Sequence, residues 1–514
     1  MSKTIIIIGA GLAGLSAALQ AAENGYNVKL VSSLPSERAQ SVMAEGGINA
    51  ALNTKDENDS PEEHFTDTIK AACGLADPNA VWGMTQAAPE LVHWLLKLGV
   101  KFNMSGYDDV DLRNFGGQKK KRTAFAQSDT GKQIMTAMID AVRRKEASGM
   151  VERFSHHSFL TLRLCGNICC GCVIRDEYSQ ETVELPGDAV IVATGGMHGL
   201  FGNTTGSLSN TGEVTAELFR LGVPLANGEM IQYHPTTVKC GGKRMLISEA
   251  ARGEGGRLFA MKDGKQWYFM EEKYPELGNL MPRDITAREI WKVSHESEVF
   301  LDMTEISEEI ISNKLSGLAD DCMTYLHKDI RKEPVSVLPG IHYFMGGILV
   351  DEQHRTPIQN LCAAGECCAQ YHGANRLGGN SLLGALYGGR VAAKSACEQA
   401  DVVDLSCATQ IDFPPASQIS EIKQLNKVMQ ETMGVVRNEN TLLNGIQTVQ
   451  ALTGNLPLLG MAVLKSALAR KESRGAHWRE DYPKSNDDDY LKTTVARFDG
   501  KQIQISFVPV PERR

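Results

Sequence analysis

The sequence contains no apolar run that approaches the roughly 18–20 residues of a membrane-spanning helix. It also has no excess of positive charge, because 53 Lys and Arg residues stand against 62 Asp and Glu residues. A protein that binds nucleic acid through its phosphates needs the opposite balance. No HExxH pattern occurs among the 12 histidines. These absences exclude insertion into a membrane, general nucleic-acid binding and zinc-peptidase chemistry.

The 12 cysteines lack the spacing of an iron–sulfur or zinc site. Four of them lie close together, namely Cys165, Cys169, Cys170 and Cys172, but no second CxxC completes a ligand set. Their frame predicts a β-hairpin that turns at Gly166-Asn167. Because Cys170 and Cys172 alternate, we expect them to share one face of a strand and to pack as small hydrophobes.

No export signal precedes the first apolar segment, which is only Ile5–Ile8. We therefore expect a cytoplasmic protein with reduced thiols. The composition is 42% hydrophobic with a mean hydropathy of −0.22, which excludes a disordered or fibrous chain. A length of 514 residues predicts about three domains.

The N-terminal segment predicts a dinucleotide-binding unit. Ile5–Ile8 reads as a buried strand, a helical pattern follows Gly14, and Val28–Val31 reads as a second strand. Gly9 allows a tight turn, Gly11 allows a pyrophosphate to approach, and Gly14 allows close helix–strand packing. The phosphates then face the positive end of the helix. The second strand ends in two serines and offers no carboxylate for a ribose, which disfavours a plain NAD site.

Eight further motifs follow in order, and together they resemble the flavoprotein subunit of succinate dehydrogenase and fumarate reductase. They begin at Met43-Ala44-Glu45-Gly46-Gly47, Asn114-Phe115-Gly116-Gly117, Ala193-Thr194-Gly195-Gly196, Gln232-Tyr233-His234-Pro235, Ser248-Glu249-Ala250-Ala251-Arg252, Pro282-Arg283-Asp284, His342-Tyr343-Phe344-Met345 and His372-Gly373-Ala374-Asn375-Arg376. A ninth, Glu472-Ser473-Arg474-Gly475, stands near the end. The resemblance covers about residues 4–495.

The resemblance implies an α/β fold in which a Rossmann-like FAD-binding domain is interrupted by an α+β capping domain. The expected bounds are 1–225 and 340–405 for the FAD-binding domain, 226–339 for the cap and 410–514 for a C-terminal helical region. The last region shows helical patterns at 419–433, 438–452 and 456–472. Asp284 is expected to cap the helix that follows it, from Ile285 to Val293.

The resemblance also implies the FAD contacts. They are Gly9, Gly11, Ala13, Gly14, Ser32, Arg38, Gln40, Ala44, Gly46, Gly47, Ala193, Thr194, Gly195, Glu213, Glu366, Asn380, Ser381 and Leu382. Two of these depart from the family pattern. Gln40 replaces the histidine that bonds covalently to the flavin, so we expect noncovalent FAD. Glu213 stands where the family has Asp. A helix after the glycine-rich loop at 372–379 is expected to point its positive end at the flavin.

The implied substrate-binding residues are Phe115, His234, Ser248, His342 and Arg376. Arg283 matches the family's proton donor, and Glu249 and Arg252 match its relay partners. Glu249 and Arg252 are spaced so that they face one side of a helical turn. An isolated guanidinium holds its proton at neutral pH, so Arg283 can serve only within such a relay. Bidentate recognition of a carboxylate suits the planar fork of Arg376.

These residues predict interconversion of fumarate and succinate, an oxidoreductase reaction on a CH–CH bond. The alternatives are L-aspartate oxidase, which shares most of the motifs, and another enoate reductase of the same fold. Phe115 stands where the aspartate enzyme places a glutamate for the substrate ammonium, which favours an unsubstituted dicarboxylate. Noncovalent flavin favours fumarate reduction. Because the chain carries no cluster motif, we expect an iron–sulfur partner subunit and, through it, a peripheral position at the inner face of the membrane.

Overall fold

Strands and helices alternate along the part of the chain that the computed structural model describes, residues 3–106, 109–400, 413 and 418–514. The strands, numbered in chain order, are β1 Thr4–Ile8, β2 Asn27–Ser32, β3 Ile48–Asn49, β4 Leu112–Arg113, β5 Thr123–Ala124, β6 Val151–Ser155, β7 His157–Cys165, β8 Ile168–Asp176, β9 Thr182–Pro186, β10 Ala189–Val192, β11 Leu225–Ala226, β12 Ile231–Cys240, β13 Lys243–Leu246, β14 Arg257–Lys262, β15 Lys265–Trp267, β16 Val299–Asp302, β17 Val335–Ser336, β18 Leu338–Phe344, β19 Gly347–Leu349, β20 Leu361–Ala363, β21 Cys368–Ala369, β22 Lys492–Phe498 and β23 Ile503–Pro509. The α-helices are α1 Leu12–Glu23, α2 Pro61–Ala71, α3 Pro78–Lys97, α4 Thr130–Ala147, α5 Glu213–Arg220, α6 Glu249–Gly253, α7 Phe269–Lys273, α8 Arg283–Val293, α9 Glu308–Lys314, α10 Ser316–Asp321, α11 Asn380–Gln399, α12 Ile419–Thr432, α13 Glu439–Val449, α14 Asn455–Ala469 and α15 Asp487–Tyr490.

A parallel five-stranded sheet in the order β20-β10-β1-β2-β6 forms the centre of the FAD-binding fold. Its strands are apolar on both faces, as the isoleucine run of β1 predicts. Ile5 and Ile7 pack in the core with α1, α4 and α11, whereas Ile6 and Ile8 pack with the antiparallel sheet β7-β8-β9. Alternate residues of one strand thus hold two layers onto the sheet.

Residues 247–337 contribute nearly all of a second, separate core. Its sheet has the order β15-β14-β16-β17, and β12, β13 and β18 form a further sheet against which α8 packs. Phe115, from the loop after β4, is buried in this second core. The residue therefore joins a loop of the first part of the chain to the region that the sequence predicts as a cap.

The region after residue 418 is helical and then ends in strands. α12, α13 and α14 pack on one another close to the predicted positions. β22 and β23 then form a hairpin, and β22 pairs with β11, which the helical prediction did not include. Thr494, Val495 and Ala496 of β22 are buried and fix this edge of the fold. The expected boundary at 405–410 lies outside the described residues.

Two local predictions were wrong. α8 begins at Arg283, with Pro282 at its N-cap, so Asp284 lies in the first turn and does not cap the helix. The predicted turn at Gly166-Asn167 is present, but the pairing of β7 with β8 shifts between Arg163 and Leu164. This bulge leaves Cys170 without a partner residue in the β7–β8 register and places Cys169 with Cys172 in one core cluster. Cys170 is nevertheless buried, as expected of a small hydrophobe.

The cysteines of the described residues are mostly buried thiols. Ten are free, while Cys165 is disulfide-bonded, contrary to the expectation of fully reduced cysteines. No group of three or more His, Cys, Asp or Glu residues in the described ranges is arranged to hold a metal ion. Likewise, none of the helices in those ranges is long and apolar enough to cross a membrane.

Candidate active site

A cavity of about 940 Å³ begins at the carboxyl ends of the parallel strands and extends to the region at 247–337 that forms the second core. Its wall includes the residues that directly follow β1, β2, β10 and β20. Ligands of open parallel sheets bind at this edge, and the volume is that of a large small-molecule site. The wall contains Gly9, Gly11, Ala13, Ser32, Arg38, Gln40, Ala44, Gly46, Gly47, Phe115, Ala193, Thr194, Gly195, Glu213, His234, Ser248, Glu249, Arg283, His342, Glu366, Arg376, Ser381 and Leu382.

Three predicted site residues lie behind this wall. Gly14 packs where α1 meets β1, and a Cβ there would come 1.8 Å from the Gly9 carbonyl oxygen. Arg252 lies behind Glu249, with its Nη2 3.4 Å from Glu249 Oε1. Asn380 is fully buried in a hydrogen-bond network at the start of α11. Any effect of these three residues on a ligand is therefore exerted through their neighbours.

The glycines after β1 form a floor that fits a pyrophosphate. A Cβ at Gly9 would come 2.2 Å from the Ala193 carbonyl oxygen, so this turn tolerates no side chain. A Cβ at Gly11 would meet no atom closer than 3.6 Å, because this residue faces the cavity. Helix α1 begins one residue later, so its positive end lies at the same space, and its Leu12 N–H donates to the Ser41 hydroxyl at 3.3 Å.

Two residues at the far end of the cavity fit the adenosine part of a dinucleotide. Ser32 ends β2, and its buried hydroxyl has no hydrogen-bond partner among the described residues. A ribose hydroxyl would satisfy it, in place of the acidic residue that the sequence lacks there. Arg38 is exposed at the rim. The donor set thus fits the cofactor that the sequence predicts.

Glu366 and α11 approach the cavity from the opposite side. Glu366 Oε1 accepts a hydrogen bond from the Phe344 backbone N–H at 3.1 Å and lies 3.6 Å from His198 Nε2. α11 is 20 residues long and begins at the cavity wall, since Gly379, Ser381 and Leu382 line it. Its positive end would stabilise a negatively charged ring placed there.

Glu249 is the centre of a charged cluster on the cavity wall. Its Oε2 accepts hydrogen bonds from Arg283 Nε at 2.8 Å and Nη2 at 2.6 Å. Its Oε1 accepts the Gly116 N–H at 3.0 Å. Burial alone would raise the pKa of Glu249, but Arg283 and Arg252 outweigh it and hold the pKa below its usual value. The predicted relay residues are therefore in direct contact.

Arg376 is a buried cation that forms no ion pair with a carboxylate of the described residues. Its guanidinium stacks 4.3 Å from the centre of the Tyr343 ring, and its Nε has no hydrogen-bond partner in the described ranges. Burial, and then the nearby Arg283, lowers the pKa of Arg376 to about 9. A buried, unpaired guanidinium is costly, and an anionic ligand in the cavity would remove that cost.

His234 and His342 lie side by side on the cavity wall. Their ring centres are 5.1 Å apart, and His342 Nδ1 lies 2.8 Å from the Thr205 hydroxyl. Burial, with the charge of Arg283 beside them, lowers the pKa of both histidines well below the usual value. Both rings are neutral at pH 7 and each keeps one N–H donor. Ser248, at the N-cap of α6, adds a hydroxyl to the same wall.

Two residues of this site were not predicted from the sequence. Gln232 accepts a hydrogen bond from Arg283 Nη1 at 3.1 Å and donates to the Arg376 carbonyl at 2.8 Å, so it links the two arginines. Glu45 lines the cavity, and burial, with Asp321 and Asp129 adding to it, raises its pKa to about 8. Both residues stand inside motifs noted above, and only their polarity in an otherwise apolar context could have indicated a role.

Comparisons with known proteins agree with this arrangement. Residues 4–382 match the family described as FAD binding domain, and residues 452–513 match the one described as Fumarate reductase flavoprotein C-term. The succinate dehydrogenase flavoprotein subunit of Bacillus subtilis is 38% identical, over 100% of this chain and 98% of that protein. The 8-methylmenaquinol:fumarate reductase flavoprotein subunit of Wolinella succinogenes is 32% identical, over 100% of this chain and 92% of that protein.

The fold agrees as well. A solved structure of an E. coli quinol fumarate reductase matches with a TM-score of 0.90 at 27% identity, over 99% of this chain and 97% of that chain. The match therefore includes the parallel sheet, the second core and the C-terminal region alike. The chain belongs to the family of succinate dehydrogenase and fumarate reductase flavoprotein subunits, which are FAD-dependent oxidoreductases.

Proposed function

We propose that this chain interconverts fumarate and succinate. The observation that carries the proposal is the buried Arg376, whose Nε has no hydrogen-bond partner in the described residues. Arg376 lines the cavity together with Arg283, and Arg252 lies behind Glu249. A dicarboxylate supplies the negative charge that these cations need. The related proteins from B. subtilis and W. succinogenes are named for succinate dehydrogenation and fumarate reduction.

In this mechanism Arg376 binds one substrate carboxylate. The neutral His234 and His342, together with Ser248, donate hydrogen bonds to this carboxylate or to the second one. Bound FAD would supply the hydride to one substrate carbon while a proton reaches the other. Arg283 holds that proton at its guanidinium, which the two hydrogen bonds to Glu249 fix in place. Glu249 and Arg252 return a proton to Arg283, so the arginine acts as a shuttle and not as a free acid.

Phe115 favours an unsubstituted dicarboxylate over L-aspartate. The ring is buried beside the substrate end, where a Cβ on Gly46 would come 2.8 Å from it and one on Gly378 would come 2.9 Å. An ammonium group at this place would need a carboxylate, and a phenyl ring offers none. Aspartate oxidation remains the second candidate only because the other motifs are shared.

The direct test follows electrons from a reduced viologen to fumarate. Wild-type protein is expected to oxidise the viologen only when fumarate is present, and Arg283→Ala to lower the rate by a factor of at least about 10² while FAD stays bound. Arg331→Ala, at an exposed arginine, is the matched control and should keep the rate. A fully active Arg283→Ala protein refutes the relay. An inactive wild type that still binds FAD would instead favour a non-catalytic subunit that has kept its flavin and lost turnover.

We propose that the FAD is noncovalent, because Gln40 lines the cavity where a linking histidine would stand and an amide cannot form that bond. Acid precipitation of the loaded protein is expected to leave yellow flavin in the supernatant. A yellow precipitate that retains its flavin contradicts the assignment. Noncovalent flavin also favours the direction of fumarate reduction.

We further propose that electrons enter through a separate iron–sulfur subunit. Several related chains are named as subunits of larger enzymes. Purification from the native source under mild conditions should yield the flavoprotein together with an iron-containing chain. Recovery of an active flavoprotein alone, with a soluble electron donor, argues against that partner.

A further inference from the structure

Asn49 is a fully buried residue on the short strand β3, and its side-chain amide uses every hydrogen-bonding position it has. Its Nδ2 donates to the Gly378 carbonyl at 2.7 Å and to Asn380 Oδ1 at 2.8 Å. Its Oδ1 accepts from the Thr123 hydroxyl at 2.6 Å and from Gln118 Nε2 at 3.0 Å. An amide with two donated and two accepted bonds is completely satisfied.

The two donated bonds hold the beginning of α11. Gly378 and Asn380 flank Gly379, and this segment directly follows Arg376 and lines the cavity. The Asn49 backbone N–H adds a third bond, to the Gly379 carbonyl at 3.2 Å. A Cβ on Gly379 would come 2.1 Å from Asn49 Oδ1, so the segment rests directly on the amide. Three bonds from one residue thus fix the end of the helix that faces the flavin position.

The two accepted bonds hold the substrate loop. Gln118 closes the loop that carries Phe115 and Gly116, and the Gly116 N–H donates to Glu249. Gln118 Nε2 also donates to the Gly378 carbonyl at 3.0 Å, so the loop and the helix start share Asn49 as their common support. No other side chain in the described ranges bonds to both the Gly378 carbonyl and Asn380.

Further buried groups keep Asn380 in the orientation that this arrangement requires. His64 Nε2 lies 2.9 Å from Asn380 Oδ1, and Asn380 Nδ2 donates to the Thr68 hydroxyl at 3.0 Å. Both partners are on α2 and are buried. Since Asn380 Oδ1 accepts from both Asn49 and His64, neither a carboxylate nor an apolar residue at 49 could replace the amide without leaving unpaired groups.

We propose that Asn49 is a positioning residue that sets the positive end of α11 and the Arg376 segment against the flavin, and at the same time holds the Phe115 loop beside the substrate. The effect of Asn49 on the cofactor requires only that the chain binds FAD, as its family does. Its effect on the substrate depends on the function proposed above. Without Asn49 the helix end turns away from the ring. The reduced, anionic flavin then loses more stabilisation than the oxidised form.

The test compares Asn49→Ala with Asn455→Ala. Asn455 is also a buried asparagine and is the first residue of α14. It donates to Glu217 on the neighbouring helix α5, away from α11. Asn49→Ala is expected to raise the FAD dissociation constant about tenfold. It should also weaken binding of reduced relative to oxidised flavin by about tenfold, a midpoint potential about 30 mV more negative for a two-electron couple. Asn455→Ala removes a buried hydrogen bond elsewhere, so it should lower thermal stability and keep both values.

Wild-type affinity and potential in Asn49→Ala overturn the proposal, as do equal shifts in the two variants. If Asn49→Ala does not fold, Asn49→Ser keeps a neutral polar side chain that is too short to donate to both Gly378 and Asn380, and a potential shift in the same direction is expected. The potential remains measurable even if the flavin cannot be released. Neither readout uses fumarate turnover, so failure of the proposed reaction leaves this result interpretable on its own.

Discussion

At the scale of single residues, Glu45 is a carboxyl group placed where its charge is disfavoured. Its Oε2 is shielded from water and has no hydrogen-bond partner in the described part of the chain. Burial, and then Asp321 and Asp129, raises the pKa of Glu45 to about 8, although Arg113 opposes the shift. The group is therefore mainly protonated at pH 7, while a glutamate in the unfolded chain is ionised above about pH 4.3.

This difference makes stability depend on pH in a defined window. The raised pKa means that the folded chain keeps a proton that the unfolded chain releases, so stability falls as pH rises from about 4.5 to about 8 and is constant above that. Glu45→Gln cannot ionise, so its Tm should exceed that of wild type by a margin that grows through this window. Thermal unfolding of both apoproteins at pH 5, 6, 7 and 8 measures the margin. A margin that stays constant with pH would contradict the prediction.

At the scale of elements, Gly11 and Gly14 at the start of α1 are expected to have different roles. Gly14 allows the helix to pack on the sheet, and Gly11 leaves room for the cofactor. Gly14→Ala places a methyl group 1.8 Å from the Gly9 carbonyl oxygen, so the helix must move away from the sheet. Gly11→Ala meets nothing closer than 3.6 Å in the protein but puts its methyl group on the floor of the cavity.

Gly14→Ala is therefore expected to destabilise the apoprotein by about 1–3 kcal/mol or more, as overpacking of a core does. Gly11→Ala should leave apoprotein stability near that of wild type and weaken FAD binding. Chemical unfolding of the two apoproteins and FAD titration of each distinguish the effects. If Gly11→Ala loses as much stability as Gly14→Ala, then Gly11 is a packing residue and not part of the phosphate site.

The contrast shows what local sequence can predict. The strand, turn and helix around Gly9 and Gly14 are confirmed, because their pattern is contained in about 30 consecutive residues. The role of Asn49 was missed because its partners Gly378 and Asn380 lie 329 and 331 positions away. The cysteine alternation failed because a single bulged residue in β8 places Cys169, and not Cys170, in the same core cluster as Cys172.

The same limit applies to the substrate end of the site. Family motifs led to Glu249, Arg283 and Arg376, and the structure brings all three to one cavity, although their chemical roles stay predictions. Gln232 stands in a recognised motif, but only the folded chain places it between Arg283 and Arg376. Motifs therefore predicted which loops meet, and packing decided which side chain joins them.

At the scale of the whole molecule, the segment at 470–477 supports the loop that carries Arg376. Arg470, Glu229 and Glu472 are completely buried and paired, with Arg470 2.7 Å from an oxygen of each carboxylate. Glu472 also binds Arg474 at 2.8 Å. This network fixes the segment at 472–477 to the strand region around Glu229, since breaking a buried pair leaves an uncompensated charge. Gly475 and Ala476, in the same segment, contact the loop that carries Arg376.

Gly475 makes this contact. A Cβ there would come 2.5 Å from the carbonyl oxygen of Ala374, two residues before Arg376, and the neighbouring Ala476 N–H donates to the same oxygen. Gly475 has a φ of +54°, so alanine also strains the backbone. Gly500, with a φ of +90° and no atom within 4 Å of its Cβ position, shares the backbone strain without the contact.

Gly475→Ala should therefore raise the KM for the dicarboxylate about tenfold, equivalent to about 1.4 kcal/mol, because Ala374 must move and Arg376 moves with it. Gly500→Ala should lose stability by backbone strain alone and keep the wild-type KM. Steady-state kinetics with the viologen assay, together with the Tm of both variants, separates the two effects. An unchanged KM in Gly475→Ala would mean that the network at 470–474 stabilises the chain without positioning the substrate arginine, and equal KM changes in both variants would assign the effect to strain.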